Sequence, residues 1–169
     1  MQVLNKKEIK KLNKTFKNPK EIYILAENIQ YARNVASLFR IADALGVKEL
    51  ILTGISHTPP FGKDLKKVSR NKERSVHWRY FKHTVKAINY LNANNISIIA
   101  IEQLRGSIPY YEFKFPTKFA LFIGNEVYGI VKNSAKRVKN AVFIPMYGKG
   151  ASLNVHVSLA VVGFHSTIT

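Results

Sequence analysis

The stretch Phe119–Gly129, FALFIGNEVYG, with Ala141–Gly163, AVFIPMYGKGASLNVHVSLAVVG, decides how this 169-residue chain is read. Phe119–Ile123 and Ala141–Ile144 are apolar runs of strand length, each stopped by a glycine or proline break. A loop and then a helix start follow each run. α/β folds build small-molecule sites in this way, on loops at the carboxyl ends of strands. Glu126, in the first loop, is the only carboxylate side chain after Glu112. The second loop carries Ser152 and Asn154. One carboxylate and two neutral polar groups among glycines and backbone amides suit a polar, partly cationic ligand.

Moving outward, Glu21–Ala26, Val47–Thr53 and Ile96–Ile101 are further apolar runs of strand length. Val85–Leu91 shows a helical face in Val85, Ile88 and Leu91. Ala32–Leu45 reads as a longer helix ended by Gly46, with Val35, Leu38, Ala42 and Leu45 on one stripe. Arg33, Ser37 and Arg40 form a second, polar stripe. Asn34 lies about 120° around the helix from Arg40 and belongs to the first turn, where short polar side chains favour loop geometry. Residues 103–118 read as a connecting loop, and Ile130–Lys139 as a short basic helix. Ser152–Phe164 is rich in β-branched residues, which favours a strand, whereas Ser152 is a good helix N-cap. Strands alternating with helices predict an α/β domain with a mainly parallel sheet and helices on both faces.

Composition bounds the partners. The net charge is +17, and the charge is clustered. Residues 1–20 hold seven Lys and one Glu; residues 63–86 hold nine Lys or Arg and two acids. In the second cluster Trp78, Tyr80 and Phe81 interleave with Arg74, Arg79 and Lys82, a pattern that suits RNA. Trp78 and Phe81 read more simply as core anchors of a short strand. Residues 1–20 predict a basic helix with a thin apolar stripe, either an RNA-touching arm or a helix docked on the domain formed by 21–169. With no cysteine and no close histidine pairing, no metal site is expected. No apolar run reaches membrane-spanning length, and no secretory signal is visible, so a cytoplasmic protein is expected. There is no G-x-G-x-x-G and no P-loop.

Gly124-Asn125-Glu126 with Gly129, then Ile144-Pro145-Met146, Gly148 and Ser152-Leu153-Asn154-Val155, resemble the last two motifs of the SpoU/TrmH branch of the SPOUT RNA methyltransferases. Asn34 and Arg40, followed by Ala42-Asp43-Ala44-Leu45-Gly46, match the first motif. The resemblance covers about residues 22–164. It implies a C-terminal trefoil knot, a homodimer, and S-adenosylmethionine held by the positions of Gly124, Ile144 and Leu153. It implies methyl transfer to a ribose 2′-hydroxyl of tRNA or rRNA, with Arg40 activating the hydroxyl. Glu126, Asn34, Ser152 and Asn154 would position loop and substrate. The family commonly has Ser where this chain has His156, so no role is carried to that position. The rival expectation is a non-catalytic basic RNA-binding protein on the same shell, and cofactor binding discriminates the two.

Overall fold

The computed structural model describes residues 2–169. In chain order its elements are α1 (Lys6–Asn13), β1 (Glu21–Glu27), α2 (Ala32–Leu45), β2 (Glu49–Thr53), α3 (Lys63–Ser69), β3 (Trp78–Phe81), α4 (Thr84–Ala93), β4 (Ser97–Ile101), β5 (Ile108–Pro109), β6 (Lys118–Ile123), α5 (Lys132–Ala135), β7 (Asn140–Phe143) and α6 (Val155–Ser166). The strands form one sheet in the order β3-β2-β1-β6-β4-β7-β5. Each of its pairings is parallel.

A parallel sheet is covered on both faces, so its central strands are apolar without interruption. Alternate residues then serve opposite sides. Ile22, Ile24 and Ala26 of β1 join Val35, Leu38 and Phe39 of α2 and Leu159 and Val162 of α6. Leu25, between them in sequence, joins Ile51, Phe122, and Ala87, Ile88 and Leu91 of α4. The expected helices on both faces are present. Trp78 and Phe81 are the anchors of β3, one packed into each cluster.

Three local readings are corrected. The segment 103–118 is not all loop, because Ile108–Pro109 pairs with β7 and Tyr110–Glu112 makes a 3-10 turn. A two-residue strand is too short to show a period. Helix Ile130–Lys139 shrinks to the four residues of α5. The N–H groups of Ile130 and Val131 are taken by the carboxylates of Glu102 and Glu27 instead. Finally, Ser152 does not cap α6. Asn154 does, its Oδ1 accepting the His156 N–H at 3.1 Å. The helix prevails over β propensity because Leu159, Val162 and Gly163 pack inward. A Cβ on Gly163 would stand 2.6 Å from Leu45 Cδ1, so α6 approaches α2 closely here and a larger residue would push the Leu45 side chain aside.

The helix α1 is closed by a capping box. Asn5 Oδ1 accepts from Lys7 N and Glu8 N, and Glu8 Oε2 accepts from Asn5 N. None of its residues is buried. After it the chain is tied to the domain, where Asn18 Nδ2 donates to Leu45 O and Lys20 Nζ to Phe115 O. Among the described residues no helix is long and apolar enough to cross a membrane.

Candidate active site

The loop after β6 is a tight knuckle whose geometry follows from its residues. Asn125 Oδ1 accepts from Val127 N at 2.9 Å and Tyr128 N at 3.0 Å. Its Nδ2 donates to Asn28 O at 2.7 Å. Asn125 and Gly129 exchange both backbone hydrogen bonds. Gly124 faces the Gly129 backbone so closely that a Cβ would collide with it. Gly129 sits at φ +64° beside the Glu102 carboxylate, a backbone conformation that favours glycine.

This knuckle delivers Glu126 to the entrance of α2. Glu126 Oε2 accepts from Gln30 N at 2.8 Å, and Oε1 from Tyr31 N at 3.2 Å and Asn34 Nδ2 at 2.6 Å. The N-cap of α2, Tyr31, supplies no side-chain cap of its own. A carboxylate at that end satisfies orphan N–H groups and opposes the helix dipole favourably. Asn34, in the first turn as expected, passes the link onward. Its Oδ1 lies 3.3 Å from Asn154 Nδ2 and 3.2 Å from His156 Nδ1. The loop after β6, the first turn of α2 and the first turn of α6 are thus joined by one chain of side-chain hydrogen bonds. Burial holds the His156 imidazole below its ordinary pKa.

Beside this relay opens a cavity of about 490 Å³. Gly124, Ile144 and Leu153, the three residues expected to hold a cofactor, all line it, as do Glu126 and Ser152. Ser152 is solvent-exposed there. Arg40 lies on the exposed stripe of α2 and has no ion pair among the described residues. Two polar groups at the site escaped sequence reasoning. Glu102 lines the cavity and accepts from Ile130 N and Gln103 N. A carboxylate directly after a strand was the available signal. His156 gave none, because its partner lies far away in the chain.

The sequence profile of the SpoU rRNA Methylase family matches residues 21–164. The chain belongs to the SpoU methylase family. Among curated relatives, the 23S rRNA (guanosine(2553)-2′-O)-methyltransferase RlmP of Bacillus subtilis is 26% identical over 148 residues, covering 84% of this chain and 56% of that protein. The tRNA (guanosine(18)-2′-O)-methyltransferase of Aquifex aeolicus is 24% identical over 160 residues, covering 92% of this chain and 74% of that protein. A solved structure of an AdoMet-bound rRNA methyltransferase from Sinorhizobium meliloti superimposes with a TM-score of 0.78 at 24% identity, covering 86% of this chain and 55% of that one. The chain therefore spans little more than half the length of the Bacillus and Sinorhizobium proteins.

The chain has a second hollow, of about 440 Å³, lined by Lys63, Lys66, Lys67, Arg70 and Asn71. Beside it Asp64 pairs with the exposed Lys67 at 3.1 Å and offsets part of the positive charge.

Proposed function

We propose that this SpoU methylase transfers a methyl group from S-adenosylmethionine to a ribose 2′-hydroxyl of tRNA or rRNA. The observation that carries the reading is the glycine-backed cavity set directly beside the Glu126–Asn34–Asn154 relay. The residues present fit the cofactor. Gly124 leaves its wall flat, Ile144 and Leu153 offer apolar surface to an adenine, and Glu102 and Glu126 bring negative charge to the rim. The volume lies in the range of small-molecule sites.

When bound, S-adenosylmethionine supplies an electrophilic methyl group carried on a sulfonium. The chain supplies the rest. Glu126, already holding three donors, sets the loop against α2 and is a positioning residue. Asn34 and Asn154 keep α2 and α6 in register beside the cavity, and the exposed Ser152 hydroxyl is free to meet substrate. Arg40, unpaired on its exposed stripe, steadies a substrate phosphate and the charge developing on the 2′-oxygen.

The cations around α3 and the arm 1–20 serve the RNA backbone, whose phosphates they neutralise with release of counterions. A helix apolar all round is normally buried. In α6 one side packs inward, while Val157 and Phe164 remain exposed, Phe164 by 51%. We assign that outer side to a second copy of the chain, giving a homodimer. The loop before α6 is tied to the segment after β4 by Gln103 Nε2 donating to Ala151 O at 2.8 Å. We assign the segment from this loop to the end of α6 to a C-terminal trefoil knot, on the family resemblance alone. We assign the work to the cytoplasm, where tRNA and rRNA are available as substrates.

Calorimetry tests the reading first: S-adenosylmethionine and its demethylated product should each bind at micromolar level, about −8 kcal/mol, without metal. Nucleotide-resolution mapping of 2′-O-methylation in RNA from cells with and without the protein then identifies the target. A folded protein that ignores millimolar cofactor and leaves the map unchanged is a non-catalytic RNA binder.

A further inference from the structure

Glu102 takes no part in the Glu126–Asn34–Asn154 relay, yet it is held as firmly. It follows β4 directly, lines the cavity and is half-buried. Its backbone is fixed: its N–H donates to Val142 O at 3.0 Å, and its carbonyl accepts from Leu104 N at 3.0 Å. Its side chain is fixed as well. Oε1 accepts from Gln103 N at 3.0 Å, and Oε2 from Ile130 N at 3.2 Å. No Lys, Arg or His pairs with it among the described residues, in a chain of net charge +17. A carboxylate oxygen offers two lone pairs, so each oxygen keeps one acceptor position after taking its N–H. Two acceptors side by side remain, on a group that cannot move.

The other polar side chains of the cavity are more fully engaged. Glu126 holds three donors. Asn125 spends its oxygen on Val127 N and Tyr128 N and its nitrogen on Asn28 O. Gln103 Nε2 donates to Ala151 O. Strand order then says which part of the cofactor meets Glu102. The sheet runs β1-β6-β4-β7. The knuckle after β6 carries Glu126 to α2, where Asn34 and Arg40 stand, so the reacting sulfonium belongs on that side. Ile144 and Leu153, the apolar surface for adenine, follow β7. With neighbouring strands about 4.8 Å apart, the ends of β6 and β7 are about 10 Å apart, and Glu102 stands between them. In S-adenosylmethionine the unit that joins adenine to sulfur is the ribose, and it carries two hydroxyl donors side by side.

We propose that Glu102 binds the ribose of the cofactor, accepting from its 2′- and 3′-hydroxyls with one oxygen each. The inference rests on the methyltransferase reading. It makes Glu102 a binding residue, selective for a nucleoside with an intact vicinal diol, and gives it no part in bond making. The same carboxylate holds the Ile130 N–H, so the ribose and the knuckle that carries Glu126 are tied to one group.

Calorimetry on the full chain reads the contact without any turnover. The ligands are the demethylated product S-adenosylhomocysteine and its 2′-deoxy and 3′-deoxy analogues. The wild type should bind each deoxy analogue about tenfold or more weakly than the parent, as a lost hydrogen bond to a charged acceptor demands. Equal affinity for all three overturns the proposal with no variant needed. Glu102→Gln and Glu102→Ala should bind the parent about tenfold or more weakly, and in them the penalty for a missing hydroxyl should shrink to less than about twofold. If all three affinities fall together and the wild-type penalty survives, Glu102 only braces the knuckle, and the proposal fails. 5′-Methylthioadenosine keeps the ribose but lacks the amino acid, so its affinity should drop in the variants by the same factor as the parent's. If it does not respond, the carboxylate holds the ligand ammonium instead, and the proposal fails. A wild-type protein that binds S-adenosylhomocysteine but ignores the diol sinks this inference alone. One that binds neither S-adenosylmethionine nor its product sinks the methyltransferase reading, and this inference with it.

Discussion

Two hollows of nearly equal volume, about 490 and about 440 Å³, are built from opposite materials. The first is walled by glycine backbone, apolar side chains and two carboxylates that are pinned by N–H donors. The second is lined by four cations and one asparagine on and just after a seven-residue helix. Rigid backbone reads the shape of a small ligand, and any added atom is felt. Mobile lysines read charge, tolerate shape, and weaken in salt. The difference matches the proposal of a cofactor in one hollow and RNA backbone at the other, and it can be attacked from either side.

The largest effect should come from filling the first hollow. Leu153, 39% exposed on the cavity wall, replaced by Trp should abolish calorimetrically detectable cofactor binding without unfolding the domain. Persisting micromolar affinity would move the cofactor elsewhere. Next, Arg40→Ala should leave cofactor affinity and thermal midpoint intact but lower single-turnover methylation by about 100-fold, the loss expected for one transition-state donor. Arg40→Lys should rescue only in part, since an ammonium lacks the planar fork. A near-wild-type rate in Arg40→Ala would remove the arginine from the chemistry and make Glu126 the leading candidate for the proton acceptor.

Attacking the second hollow should give a smaller, salt-dependent effect. With about five phosphates neutralised, RNA affinity should fall with salt at a log–log slope of roughly −4. Reversing Lys66, Lys67 and Arg70 to Glu should flatten that slope by about 2 and spare cofactor binding entirely. A slope unchanged in the variant would make these cations mere surface solvation. The smallest expected change is in stability when residues 2–17 are removed. Since α1 buries no residue and the tethers Asn18 and Lys20 remain, the thermal midpoint should stay within about 2 °C, while RNA affinity drops. A large loss of stability would show the arm to be part of the domain.

Much of the first hollow was legible before any coordinates. Gly124, Ile144 and Leu153 were readable because loops at strand ends bring such residues together regardless of the rest of the fold. The stripes of α2 were readable because periodicity reports which side of a helix is buried, and Asn34 in its first turn and Arg40 on its exposed side stand where that pattern put them. The cap of α6 was misread by two residues, since Ser152 and Asn154 are both good caps and only the packing of Leu159 and Val162 decides the register.

The chain by itself therefore determined the alternation of strands and helices, the two basic clusters, and the motif residues that mark the family. Those properties are local, or sums over composition, and need no knowledge of neighbours. Tertiary structure alone decided the strand order that sets β6 beside β1, and with it the meeting of Glu126 with the entrance of α2 across 92 residues from Asn34. It alone turned the Asn34 carbonyl toward His156, 122 residues away. A hydrogen bond depends on distance and angle to within tenths of an ångström, and no pattern along the sequence encodes that for partners brought together only by the closing of the sheet.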